Sequence, residues 1–218
     1  MGKAIVTYPV ELAWAAVAGA DRINNGEYIN QNSYPRAAES RYNKEIAYDL
    51  LSNTDKITEE DRQLGTKLSE HFAGLLFKLI GKTPPPFLRV VATIVTKSEV
   101  TRYDVAIMSS LPRAYRQELE RENNRDRKFS LISTSKHLGQ PGESKEMDIE
   151  VFDFFHSKNY NVNVYTATDG ENLIRFSSPK GTDIFPLNTK IRVRGKVKRI
   201  DLNHNGAEET WFNRVKRV

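Results

Sequence analysis

Apolar residues recur every three or four positions through the first part of the chain. The stripes run over residues 10–23, 35–51 and 64–79, and the Thr and Asp that bound residues 58–61 resemble a capping box ahead of the third stripe. Such spacing places the apolar side chains on one face of a helix, where they can be buried against a neighbour. The pattern therefore predicts three amphipathic helices packed as a helical domain over residues 1–82.

Three consecutive prolines at positions 84–86 end this pattern, because proline cannot continue a helix and favours an extended spacer. Residues 83–134 are predicted to form a connecting segment. Within it, the β-branched residues over 88–95 and the apolar run at 103–108 predict two strands. Residues 112–127 mix arginine with acidic residues and predict a charged, solvent-exposed helix.

From residue 147 onward the polarity alternates with a period of two, the period of a half-buried strand. The predicted strands lie at residues 147–152, 161–165, 173–177, 190–198 and 210–218. Turn signals separate several of these runs. Five short strands in residues 135–218 fit a small OB-type β-barrel, although a plain five-stranded sheet or an SH3-like barrel has the same count. The predicted fold class is α+β, a helical bundle followed by the barrel.

One of these strands carries a basic side chain at every second position. The basic residues are Lys190, Arg192, Arg194, Lys196 and Lys198, and they alternate with Ile191, Val193, Gly195 and Val197. Successive side chains of a strand point to opposite faces, which predicts a cationic row outside and an apolar row on the core. A solvated strand that resists edge aggregation is the alternative, but one or two lysines suffice for that. Five like charges on one face favour contact with a polyanion such as nucleic acid.

The distribution of charge supports this interpretation. The chain has a net charge of +5, and residues 179–218 alone carry +6 from ten basic and four acidic residues, so the remainder is slightly negative. Single-stranded nucleic acid also needs aromatic faces on which bases stack. The candidates for stacking or cation–π contact are Tyr165, Arg175, Phe176 and Trp211, with Lys216 as a further cation.

Several classes of function are disfavoured. No apolar run approaches the roughly 20 residues that cross a bilayer, and no secretory signal opens the sequence, so we expect a cytoplasmic protein with no membrane partner. The chain contains no cysteine and its four histidines are far apart, so neither a metal nor another cofactor is predicted. Asp148, Glu150 and Asp153 alternate like nuclease ligands, but no accompanying carboxylate or base supports an enzyme.

Four stretches of residues 135–218 together resemble a known family of barrel domains. These stretches are residues 135–143, residues 168–178, residues 194–198 and residues 209–216. With them, this part of the chain resembles the OB-fold domain of bacteriophage-encoded replication and single-stranded DNA-binding proteins. The resemblance implies a concave barrel face that holds single-stranded nucleic acid without recognising its sequence. Such phage proteins often end in an acidic tail, whereas this sequence ends in Arg217 and Val218.

The predicted function is non-catalytic, sequence-tolerant binding of single-stranded DNA in phage replication, recombination or repair, in the host cytoplasm if the protein is viral. RNA is an alternative ligand. The alternative from another class is a protein-interaction module whose basic barrel binds an acidic partner. The helical part is expected to contact replication proteins or a second copy of the chain.

Overall fold

Helices make up most of the first part of the chain and strands most of the second. The structure, a computed structural model, describes residues 6–33, 40–78, 81, 83, 85–179 and 185–218. It divides into two units, residues 1–119 and residues 120–218. The predicted α+β class is confirmed, with the helices mostly N-terminal and a closed five-stranded barrel at the C-terminal end.

Six α-helices are described in the chain, together with a short 3-10 turn at Thr54–Lys56. The helices are α1 (Val10–Ile23), α2 (Asn43–Ser52), α3 (Glu59–Lys78), α4 (Pro86–Val95), α5 (Arg102–Met108) and α6 (Leu111–Ser130). The three helices predicted from the apolar stripes correspond to α1, α2 and α3. The second begins at residue 43 instead of 35, and residues 34–39 lie outside the described residues.

Helix α1 forms the centre of the first unit, and residues 13–20 are all buried. Its alanines allow close packing, and Gly65 of α3 packs against its backbone. A Cβ atom on Gly65 would lie 2.8 Å from the backbone nitrogen of Ala15 and the carbonyl carbon of Trp14. The ring of Trp14 stacks on Phe72 of α3, with centroids 6.2 Å apart. The small side chains of α1 therefore set how closely these two helices pack.

The predicted capping box at the start of α3 is present. The Thr58 N–H donates to Asp61 Oδ2 at 2.9 Å, and the Asp61 N–H donates to Thr58 Oγ1 at 3.2 Å. Arg22 of α1 also binds Asp61 through two hydrogen bonds of 2.8 and 2.9 Å. Burial raises the pKa of Asp61, but the hydrogen bonds from Arg22 and Thr58 outweigh burial and leave that pKa below its ordinary value.

The strands predicted at residues 88–95 and 103–108 are wrong, because these residues form α4 and α5. Pro86 lies in the first turn of α4, where a missing N–H costs nothing. Two of the β-branched residues of α4, Val91 and Ile94, are buried on one face of the helix. A capping box between Thr101 and Asp104 begins α5. The predicted charged helix over residues 112–127 is confirmed as part of α6.

Seven strands are described. Strands β1 (Thr7–Pro9) and β2 (Glu99–Thr101) form a small antiparallel pair in the first unit. The barrel strands are β3 (Ser144–Ser157), β4 (Val162–Thr168), β5 (Leu173–Pro179), β6 (Lys190–Leu202) and β7 (Glu208–Arg217). All five predicted strands are thus confirmed. Their closed order is β3-β4-β5-β7-β6, in which β5 and β7 are parallel and every other pair is antiparallel.

The barrel encloses its own hydrophobic core, and three register shifts alter the alternation of its strands. The core residues are Ile149, Val151, Tyr165, Ala167, Ile174, Phe176, Phe185, Ile191, Val193, Val197 and Phe212. In β3 the register with β4 shifts at Phe152, and in β6 the register with β7 shifts at Lys198. A further β6–β7 shift lies between Arg194 and Lys196, whose partners in β7 are Lys216 and Asn213. A bulge inserts one extra residue, so the side chains beyond it change faces. These shifts affect the outer surface described next.

Candidate nucleic-acid interface

The basic strand has the geometry that its sequence predicts. Along β6 the five basic residues are exposed and the residues between them are buried. Ile191, Val193 and Val197 belong to the barrel core, while the side chains of Arg192 and Arg194 are 56% and 69% exposed. The cationic row therefore lies on the outer surface of the barrel.

Carboxylates of β3 compensate part of this row. Asp148 faces Arg192 across the β3–β6 pairing, and Glu146 faces Arg194. Arg192 forms ion pairs with Asp148 at 3.5 Å and with Glu146 at 3.9 Å, and Arg194 also pairs with Glu146. These two arginines therefore do not need an external polyanion, contrary to the expectation for five mutually repelling charges, because the protein supplies their counter-ions.

The acidic residues considered as nuclease ligands also form ion pairs with basic side chains. Asp148 pairs with Arg192, Glu150 pairs with Arg127 at 3.1 Å, and Asp153 pairs with Lys128 at 2.5 Å. Among the described residues, no three His, Asp or Glu side chains are grouped to hold a metal ion. These carboxylates serve as partners of basic side chains.

Uncompensated positive charge lies at the other end of the row, along the pairing of β6 with β7. Lys196 and Lys198 of β6 and Lys216 of β7 are exposed. Within the described part of the chain, none of these three lysines has an ion-pair partner. Lys196 faces Asn213, and Lys216 faces Arg194. A phosphate reaching this surface meets free ammonium groups and need not displace a carboxylate.

Next to these lysines, Trp211 lies between two guanidinium groups. Trp211 faces Arg175 on β5 and Arg199 on β6 in the strand register. The guanidinium carbons of Arg175 and Arg199 lie 5.4 and 4.6 Å from the ring centre. Glu209 accepts the indole N–H at 2.5 Å and pairs with Arg175 at 3.3 Å. The indole is partly exposed and is held in one orientation by its neighbours.

Two of the aromatic candidates do not reach this surface. Tyr165 is 3% exposed and Phe176 is fully buried, and their rings stack on each other in the barrel core with centroids 5.1 Å apart. Alternation in the sequence places Tyr165 on the same, polar side of its strand as Asn163. Asn163, near the start of β4, is partly exposed. Because the sheet closes, the same side becomes the barrel interior one step further along. These rings are not available to a base.

Arg199 belongs to the candidate surface although strict alternation assigns it to the core side with Val197. The extra residue Lys198 reverses the alternation and brings Arg199 opposite Trp211. The bulge at Phe152 similarly brings Phe155 to the outer surface, where it faces Val164 and is half exposed. No sequence pattern marks either bulge, so alternation alone could not have found these two residues.

Comparison of the chain with protein-family models, curated proteins and solved structures finds no match. None of the helices in the described ranges combines the length and the apolar character needed to cross a membrane.

Proposed function

We propose that the barrel is of the OB type and binds single-stranded DNA without recognising its sequence. Support for the OB type comes from the strand order, in which β6 closes on β3 and β5 runs parallel to β7. An OB barrel is a five-stranded Greek-key barrel that binds oligonucleotides on the face of its second and third strands and on the loops between strands one and two and strands four and five. Arg175 lies on the third barrel strand, β5.

The observation that carries the proposal is the position of Trp211 between Arg175 and Arg199, beside unpaired lysines of β6 and β7. The lysines would neutralise phosphates while a base stacks on the exposed part of the indole. The two guanidiniums add cation–π attraction and hold the ring against rotation. Since every base has a π face, such contacts do not discriminate between sequences.

The same arrangement favours single strands over duplexes. A partly exposed ring on a barrel surface can stack on a base only if that base is unpaired and turned outward. The resemblance of residues 135–218 to phage single-stranded DNA-binding domains supports DNA over RNA. With this activity the protein would act wherever single-stranded DNA is exposed, as in replication, recombination or repair.

Tryptophan fluorescence tests the proposal, because the chain has only two tryptophans. Trp14 is 2% exposed in the helical unit, so Trp14→Phe leaves Trp211 as the only tryptophan with little change in surface. Titrating this variant with oligothymidylate at moderate salt should quench its emission. RNA and duplex of equal length should quench it less.

Poly-glutamate serves as the competing ligand for an acidic protein partner. If poly-glutamate binds as well as oligothymidylate at matched charge, or if oligothymidylate leaves the emission unchanged, the proposed function is wrong. The protein-interaction alternative would then explain the basic surface better.

A further inference from the structure

The last part of α6 carries a second basic and aromatic cluster. Within the second unit, Arg121, Arg125, Lys128 and Phe129 line an open cavity of about 380 Å³ together with Asp153 of β3. Residues 121, 125 and 128 are spaced four and three apart, so they lie on one side of the helix. Residues 204 and 205 of the β6–β7 turn also line the cavity.

The cavity has an excess of positive charge. Arg121 and Arg125 are exposed, and neither forms an ion pair with any residue that the structure describes. The carboxylate of Asp153 is engaged by Lys128 at 2.5 Å. The side chain of Phe129 is 56% exposed at the same place. Unpaired cations beside an exposed ring are the two ingredients that a single strand of nucleic acid requires.

Three cross-strand pairs connect this cavity with Trp211. Asp153 faces Thr166, Thr166 faces Arg175, and Arg175 faces Trp211. Neighbouring strands are about 4.8 Å apart, so the three steps from Asp153 to Trp211 span about 14 Å. Thr166 is buried, so a flexible strand that contacts Trp211 and passes over β5 and β4 reaches Lys128 and the cavity without contacting Thr166.

We propose that residues 121–129 of α6 form a second subsite for the DNA strand held at Trp211. Arg121 and Arg125 contact phosphates, and Phe129 stacks on a base several nucleotides away from the base on Trp211. This inference rests on the proposed function and extends it, because it assigns part of the binding surface to a helix that precedes the barrel. It also implies that the full site is longer than the barrel face alone.

A ladder of oligothymidylates from about 4 to about 20 nucleotides, which covers the usual site sizes of an OB fold, tests the inference. The affinity of the full chain should rise with length until both subsites are filled. In Arg121→Ala/Arg125→Ala the rise should disappear, while the shortest oligomers bind as before. For long oligomers the slope of log affinity against log salt should become shallower by about 1.4, from roughly 0.7 per lost phosphate contact.

The matched control is Arg62→Ala/Arg113→Ala, which removes the same charge from exposed arginines outside the cavity. It should retain the length dependence. Phe129→Ala should lower the affinity for long oligomers by about tenfold, which corresponds to one lost stacking contact, and should leave the affinity for the shortest oligomers unchanged.

The outcomes separate the two proposals. If the α6 variant and its control have equal affinities at every length while Trp211 is still quenched, the second subsite is wrong and the proposed function stands. If no oligomer quenches Trp211, both are wrong.

Discussion

The guanidinium carbon of Arg199 lies 4.6 Å from the ring centre of Trp211. The two residues face each other because Lys198 is an extra residue in β6, which turns Arg199 to the outer surface. Arg199 is held in turn by an ion pair of 2.8 Å with Asp201. The indole is thus oriented before any ligand arrives, which lowers the entropy lost on binding.

Trp211→Ala should weaken binding of a labelled oligothymidylate by roughly tenfold to a hundredfold, because base–aromatic stacking contributes about 1–3 kcal/mol. Arg199→Ala should have a smaller effect, since it leaves the ring and removes one cation–π contact of about 1 kcal/mol. Fluorescence anisotropy measures both, with Trp14→Phe as the control. A stronger effect of Arg199→Ala than of Trp211→Ala would contradict stacking as the main contact.

Salt dependence should distinguish paired from unpaired cations. Five phosphate contacts along β6 would give a slope of log affinity against log salt of about −3.5, from roughly 0.7 per contact. Because Arg192 and Arg194 pair with β3 carboxylates, Lys196→Ala/Lys198→Ala should make the slope shallower by about 1.4 and Arg192→Ala/Arg194→Ala by much less. The proposed path along β6 and β7 is wrong if the arginine pair changes the slope more than the lysine pair.

Gly65 and Gly74 offer a matched pair on one helix. A Cβ at Gly65 would lie 2.8 Å from the backbone of α1, whereas a Cβ at Gly74 has no atom within 4 Å. Gly65→Ala should therefore lower the free energy of unfolding by about 1–3 kcal/mol through overpacking. Gly74→Ala should raise it by about 0.5–1 kcal/mol, because alanine is the better helix former. Urea unfolding of both variants checks the expected opposite signs.

Acid should weaken the helical unit through Asp61. Burial raises the pKa of this carboxyl, but the hydrogen bonds from Arg22 and Thr58 hold it below the ordinary value of 3.8. A lowered folded-state pKa means that the stabilisation is complete above the unfolded pKa and is lost as pH falls through the folded pKa.

Asp61→Asn should accordingly cost about 1–3 kcal/mol at neutral pH, with the difference from wild type shrinking below about pH 4. Urea unfolding at several pH values measures it. The control Asp49→Asn removes half of an exposed pair with Arg41 and should change stability by less than about 1 kcal/mol at any pH. A pH-independent cost for Asp61→Asn would show that the ionised carboxylate is not the stabilising group.

Much of the architecture could be predicted because the hydrophobic period changes from about 3.6 to 2 along the chain. Long stripes identified α1, α2 and α3, and alternation identified the barrel strands. The failures at α4 and α5 have a common cause, since β-branched residues favour strands locally but packing in the first unit overrides that preference. Val91 and Ile94 are β-branched, yet they lie in helix α4 and are buried on one of its faces.

The candidate site was predictable only in part. The outward row of β6 follows from alternation. Lys216 shares the parity of the buried Thr210 and Phe212, and it is exposed because the β6–β7 register shifts between Phe212 and Lys216. The core positions of Tyr165 and Phe176 depend on closure of the sheet, and the surface position of Arg199 depends on a bulge. Both are properties of strand pairing, which involves residues distant in the sequence. The ion pairs between β3 and β6 could not be predicted either, because they also depend on which strands pair.

Closure of the barrel also limits how copies of the protein can assemble. Each barrel strand has two hydrogen-bonded neighbours, so the barrel does not present an open sheet edge to which another chain could add a strand. Barrels arrayed side by side on a long DNA would have to touch each other through side chains. Their cooperativity would then depend on surface residues and could be altered by point substitutions without disturbing the fold.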